Sequence, residues 1–258
     1  MQRRNFLKFF GGGIGVGFAG NELPRKTAPG SFQDVDFRWR NLAGKDFSGV
    51  RLTRCRFDGA ILSRASFRHA ELIECSFSTC QMTNINFSDA LLRDCTMGRS
   101  EMPGASFAQS RFIGICNLDG SNLEATTFER AHLCGILFLS GAILGKARFR
   151  GLTSEDQSHA RPSLLVFDDA FLGDADLCGL TTQIQLFRTN LRSAQLRGTV
   201  FGGIPGRWIE ADSTNFTEAD LRGADLWVDA ASALAPPDFQ NAHMQDADVH
   251  VRLDPTVE

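Results

Sequence analysis

Seven cysteines and five histidines are the residues of this 258-residue chain best suited to hold a metal or act as nucleophile and base, so their spacing is the first thing to read. Cys55, Cys75 and Cys95 recur every 20 residues, yet no C-x-x-C pair exists and the tightest spacing is Cys75 to Cys80. Zinc sites in sequence show paired, closely spaced ligands, and this pattern has none. An odd cysteine count also argues against a disulfide framework. His69, His132, His159, His243 and His250 are scattered, with no H-E-x-x-H pair among them. The glycine run from Gly11 to Gly17 lacks the preceding strand and the Gly-Lys-Ser/Thr ending of a phosphate loop. The inventory points away from catalysis and implies no metal and no cofactor.

What positions these residues is a repeat. In CRFDGAILSRASFRHAELIECSF, Cys55 to Phe77, a large apolar residue falls at every fifth position: Phe57, Leu62, Phe67, Leu72 and Phe77. Two residues before each stands a small one: Cys55, Ala60, Ala65, Ala70 and Cys75. Strands repeat at 2 and helices at 3.6, so neither accounts for it alone. The register runs unbroken from Phe32 to Phe112, slips by one at Cys116-Asn117-Leu118, and slips again before Leu144 and Phe149. It is interrupted near 151–166, 178–184 and 229–238. A short extended segment puts two residues spaced by two on one side, and a turn must then follow to keep the next pair inside. Each five residues should therefore make one flat side of a coil, and repeated coils share one continuous core. Composition agrees, because 22 Phe against no Tyr suits rings buried whole.

The units CRFDG, ASFRH, AELIE, ADLCG and ADLRG resemble the pentapeptide-repeat family. The resemblance implies an all-β fold, a right-handed quadrilateral parallel β-helix of about ten coils with 20 residues each, spanning residues 31–258. Side chains 20 apart then stack at about 4.8 Å. Phe37, Phe57, Phe77 and Met97 form one column, faced by Phe47, Phe67, Phe87 and Phe107. Leu42, Leu62, Met82 and Met102 form a third, and Leu52, Leu72, Leu92 and Phe112 the fourth. Cys55, Cys75 and Cys95 become an inward ladder of small buried thiols. Asp176, Asp220 and Asp225 take the outward position before the large residue and read as solvated. Trp39, Trp208, Trp227 and Val228 also read as outward, which makes the three tryptophans candidate interface residues.

Residues 1–30 differ in style and form a signal-like or capping segment. Arg3-Arg4-Asn5-Phe6-Leu7-Lys8 resembles a twin-arginine signal, with Gln2 where such signals usually carry Ser or Thr. Export in folded form to the periplasm, or elsewhere outside the cytoplasm, is what Arg3, Arg4, Phe6, Leu7 and Lys8 imply; a capping arm on a cytoplasmic protein is the alternative. The apolar middle is too short and glycine-rich for a stable transmembrane span. Charge is uneven: residues 31–150 carry 15 basic and 12 acidic side chains, whereas 151–258 carry 7 and 17. No basic stripe runs through the chain, which argues against direct nucleic-acid binding. The expectation is a non-enzymatic scaffold for a protein partner, with its terminal coil a candidate homodimer contact. Some members of the family are acidic mimics of duplex DNA that bind DNA gyrase or topoisomerase IV, and the acidic second half makes that the alternative.

Overall fold

The computed structural model describes residues 30–154, 163–202, 208–209, 211, 213–230 and 236–253. The pentad repeat becomes a parallel β-solenoid of about ten coils. One side of the rod, face one, carries the strands: β1 (Ser31–Gln33), β2 (Arg51–Thr53), β3 (Glu71–Ile73), β4 (Leu91–Arg93), β5 (Arg111–Asn117), β6 (His132–Phe138), β7 (Thr153–Ser154), β8 (Leu164–Val166), β9 (Gln183–Gln185), β10 (Trp208–Ile209), β11 (Asp225–Ala230) and β12 (Asp248–Leu253). They form a parallel sheet in the order β1-β2-β3-β4-β5-β6-β8-β9, with β7 pairing β6, and a second sheet β10-β11-β12. Faces two, three and four follow in chain order, centred in the third coil on Phe77, Met82 and Phe87, and are joined by isolated parallel bridges such as Ser66 to Asn86.

Two kinds of corner close each coil. On faces two to four the central residue starts a tight turn, with Ala60 N donating to Phe57 O at 2.8 Å and Ala65 N to Leu62 O at 2.9 Å. The residue two past the centre takes positive φ, 60° at Arg64 and 57° at His69. Face one bends without that turn bond, again through a positive φ at Arg54 and Glu74, and its amides stay in the ladder: Arg54 N donates to Ile73 O at 2.9 Å. Left-handed backbone at a non-glycine residue costs roughly 1–3 kcal/mol. The ladder bonds on either side offset that strain and hold the corner.

The core follows the expected columns. Phe37, Phe57 and Phe77 stack at centroid distances of 4.5 and 4.6 Å. Opposite them Phe47, Phe67, Phe87, Phe107, Phe128 and Phe149 stack at 4.8 to 5.1 Å. The two stacks also meet edge to face, Phe57 on Phe67 at 5.7 Å and Phe67 on Phe77 at 5.5 Å. The rod interior is thus only two rings wide, and the Leu and Met columns, with Leu62, Leu72 and Leu92 fully buried, fill its flanks.

The small inward position has a polar job. A turn carbonyl such as Phe57 O already accepts from Ala60 N, and its second lone pair faces the small residue one coil on. Cys80 Sγ donates to Phe57 O at 2.9 Å, Ser100 Oγ to Phe77 O at 2.8 Å and Thr199 Oγ1 to Leu177 O at 2.8 Å. Cys75 and Cys95 likewise reach Leu52 O and Leu72 O at 3.3 and 3.5 Å.

Coil length varies, and it varies in one place. Ser66 pairs with Asn86, 20 residues on; Ser106 with Thr127, 21 on; Ile143 with Phe171, 28 on; Phe171 with Asn190, 19 on; Asn190 with Asn215, 25 on; Asn215 with Asp238, 23 on. Through these changes the central residues of faces two, three and four stay five apart, as in Leu139-Leu144-Phe149, Phe167-Leu172-Leu177 and Leu186-Leu191-Leu196. Among the described residues every change of length therefore falls on face one or its passage into face two.

Candidate interaction face

Face one and its corner with face two carry most of what distinguishes one coil from another. In the 21-residue coils, β5 and β6 lengthen to seven residues and pair throughout, Ile113 with Cys134, Ile115 with Ile136 and Cys116 with Leu137. Gly114 and Gly135 make this fit: a Cβ on Gly135, at φ 150°, would lie 2.1 Å from Gly114 O. The added residue throws Ile115 outward, 46% exposed, where Ile136 and Leu164 line up with it on β6 and β8. Ile73, Leu91 and Ile113 are half-buried at other outward positions of the same wall.

Further along, Trp208 and Trp227 meet edge to face at 5.2 Å, and Trp227 lies on the His250 ring at 3.9 Å. His250 Nε2 is 2.5 Å from Asp248 Oδ1. Trp208 and Trp227 are half-buried, so this is an aromatic column across β10, β11 and β12 rather than two free anchors. Its neighbour Val228, expected outward, is fully buried, because β11 alternates Leu226 in, Trp227 out, Val228 in. Trp39 stands apart on face two, 76% exposed, with its ring over the corner at Gly59, where a Cβ would lie 2.2 Å from it. On face three, Ile143 and Phe171 are bridged and exposed, 49% and 55%. The pentad pattern conceals this pair, since both sit in the position that usually takes a polar residue.

The walls elsewhere are largely self-neutralised. Arg51 pairs with Glu71 at 2.6 Å, Arg54 with Asp34 at 2.8 Å, Arg188 with Asp169 at 2.7 Å and Arg148 with Glu129 at 2.9 Å, each between adjacent coils. Asp36 takes both Arg38 and Arg56, and the Arg38 hydrogen bond is the main cause holding its carboxyl down at about 2. Asp220 departs from its expected solvated place: it is 5% exposed, roofed by Arg222 and Arg197 at 2.7 and 2.6 Å. Those guanidiniums, Arg222 first, depress its carboxyl far below the usual range. Asp220 also accepts from Arg222 N at 3.3 Å, so the group both caps the turn and staples two coils.

Cys55, Cys75 and Cys95 face inward and are buried, and Cys116 extends their ladder on β5 despite the one-residue slip that hides it in the sequence. Burial pushes the Cys80 thiol up to about 12 and the Cys116 thiol to about 11. Among the described residues no group of three or more His, Cys, Asp or Glu side chains is placed to hold a metal ion. No helix there is long and apolar enough to cross a membrane. Arg3, Arg4, Phe6, Leu7 and Lys8 lie outside the described residues.

Stacked pentad coils with inward small and large residues define a pentapeptide-repeat solenoid. Residues 30–107 match the family model described as pentapeptide repeat region. No curated protein matches the chain. Among solved structures, HetL from the cyanobacterium Nostoc sp. strain PCC 7120, a pentapeptide repeat protein involved in heterocyst differentiation regulation, is 20% identical. That match covers 84% of this chain and 88% of HetL with a TM-score of 0.53, and it shows the shared fold. A pentapeptide repeat protein of the Arabidopsis thaliana thylakoid lumen is 27% identical over 46% of this chain and 72% of its own, at 0.29. Trypsin-treated QnrB1, a plasmid-mediated fluoroquinolone resistance protein, is 15% identical over 87% and 91%, at 0.32.

Proposed function

We propose that this chain is a non-enzymatic scaffold that binds a protein partner along face one and its corner with face two. The observation that supports this most is the confinement of every length change among the described residues to that edge, while the other walls keep strict five-residue spacing. A purely structural rod has no reason to vary along one edge alone, whereas a binding surface does. Purified protein carrying a 20-residue polar insertion on face three should keep its partner, and the same insertion between Gly135 and Ile136 should lose it. Equal binding by both would refute the assignment of the edge.

DNA gyrase or topoisomerase IV is the partner class to test first. What supports it is the stacked rod together with the net −10 of residues 151–258. Against uniform mimicry of duplex DNA stand the paired arginines and the net +3 of residues 31–150. A gyrase supercoiling assay with purified protein decides it: inhibition or protection from a quinolone supports this reading, and no effect at saturating protein removes it.

Export belongs to the same proposal, resting on the Arg3-Arg4-Asn5-Phe6-Leu7-Lys8 pattern. Periplasmic protein that vanishes when Arg3 and Arg4 are changed to Lys supports it. Cytoplasmic protein in both cases refutes it and leaves gyrase accessible.

A further inference from the structure

Outward positions on β2 and its corner are polar, Arg51, Thr53 and Arg54, and β3 and β4 mix polar residues with the half-buried Ile73 and Leu91. Three adjacent coils further on, the same wall turns apolar: Ile115 on β5, Ile136 on β6 and Leu164 on β8 pair in register from coil to coil, and Ile113 stands beside them on β5, opposite Arg93 and Cys134. These side chains stand where a soluble repeat wall ordinarily carries polar groups, and an apolar stripe of this kind on a flat sheet marks a contact surface.

Charge narrows the occupant. Arg51 and Arg54 are neutralised by Glu71 and Asp34. Arg93 on β4 and Arg111 on β5 flank the stripe, yet neither is in a salt bridge among the described residues. Arginine beside exposed isoleucine is a composition enriched at protein interfaces; Arg93 feels Glu71 at longer range but, like Arg111, keeps its guanidinium fork outside any close ion pair, and such a fork matches a carboxylate. A second copy docked through the same stripe would set these arginines against their own kind, which is unfavourable.

Resting on the protein-binding reading above, we propose that Ile113, Ile115, Ile136 and Leu164 dock an apolar segment of a different protein. Carboxylates flanking that segment pair with Arg93 and Arg111. The stripe supplies the buried area, and the two arginines set orientation and partner choice.

Site-specific crosslinking tests both parts. The full chain, carrying p-benzoylphenylalanine at position 115 or at position 171 on face three, is irradiated in cells that express it natively, and the crosslinked peptide is sequenced. The expected result is an adduct from position 115 to an apolar peptide flanked by Asp or Glu. Its yield should fall about tenfold in Arg93→Glu/Arg111→Glu. Arg93→Gln/Arg111→Gln, expected to fall less, serves if the reversed variant does not keep the parental melting temperature. An adduct to a second copy or to this chain itself overturns the proposal, as does an adduct indifferent to the charge changes. Capture from position 171 without capture from 115 overturns the stripe and leaves protein binding standing; capture from neither position removes both.

Discussion

Replacing Leu62 by Ala tests whether the columns bear the stability of the rod. Leu62 is fully buried between Leu42 and Met82 in the face-three column. Losing three buried carbons at about 0.8 kcal/mol each removes about 2.4 kcal/mol of transfer energy. The cavity adds to this, and neighbours cannot close it, because Leu62 N donates to Gln81 O at 2.7 Å and Leu42 N to Ile61 O at 2.7 Å. Those ladder bonds fix coil spacing, so a residual void of roughly 60 Å³ contributes about 1.4 kcal/mol more. The expected loss is about 4 kcal/mol, near the upper part of the range for such changes. Urea denaturation gives the total, and hydrogen exchange gives its reach, since a repeat stack passes destabilisation mainly to its nearest neighbours. The amides of Leu42 and Met82 should lose protection well before that of Leu191. Met244, in the last described coil and 37% exposed, is the matched control, with an expected loss below about 1 kcal/mol on truncation to Ala. If Leu62→Ala and Met244→Ala destabilise alike, or Leu191 loses protection first, the column argument is wrong.

Thiol labelling under native conditions should reach half-buried Cys134 and Cys178 and leave Cys55, Cys75, Cys80, Cys95 and Cys116 unmodified until the chain unfolds; early labelling of Cys80 would contradict its raised thiol and inward placement. Gly135→Ala should lower the melting temperature or give aggregated protein, because the new methyl meets Gly114 O, whereas Gly179→Ala meets no neighbour and carries only the backbone strain. Asp36 titrates at about 2 in the folded chain, below the unfolded value of about 3.9, so its contribution is intact above pH 4 and lost as pH falls through 2. Melting temperature against pH should show that acid limb, and Asp36→Asn should flatten it. Asp220→Asn, which leaves Arg197 and Arg222 facing a neutral group, should destabilise more than Asp225→Asn, read by urea midpoint.

The five-residue pattern was enough to place the core, since one large and one small inward residue per side fix the columns wherever the register is strict. It misled where a strand runs past its corner. Val228 was counted outward because the pentad spacing was continued through β11, where plain alternation takes over and turns it in. Asp220 reads as solvated because its position faces outward; Arg222 stands two residues on in the same ADLRG unit, but Arg197, which completes the roof, comes from the neighbouring coil, and nothing local announces it. Cys116 and the Ile115–Ile136–Leu164 stripe were hidden for a related reason. Cys116, Ile115 and Ile136 arise from one extra residue per coil, which looks in sequence like a slip of phase, and Leu164 joins the row only across the 28-residue coil that follows.

The ladder bonds run along the rod, and this has a mechanical consequence. Between two coils Arg54, Phe57, Gly59, Leu62, Arg64, Phe67 and His69 each donate forward, and Glu71, Ser76, Gln81 and Asn86 donate back. Tension applied at the ends loads all of these bonds in parallel, so a junction between coils resists as a unit and then parts as a unit. The junctions are not equal. On face one the parallel sheet ends at β9, and the next coil is held there by an antiparallel bridge from Gln183 to Gly202 and by Ile184 N donating to Phe201 O at 3.0 Å, a less regular pairing than the parallel strands of neighbouring coils. A rod stretched from its termini should part there first, between Gln185 and Trp208, releasing two intact pieces rather than unravelling from an end.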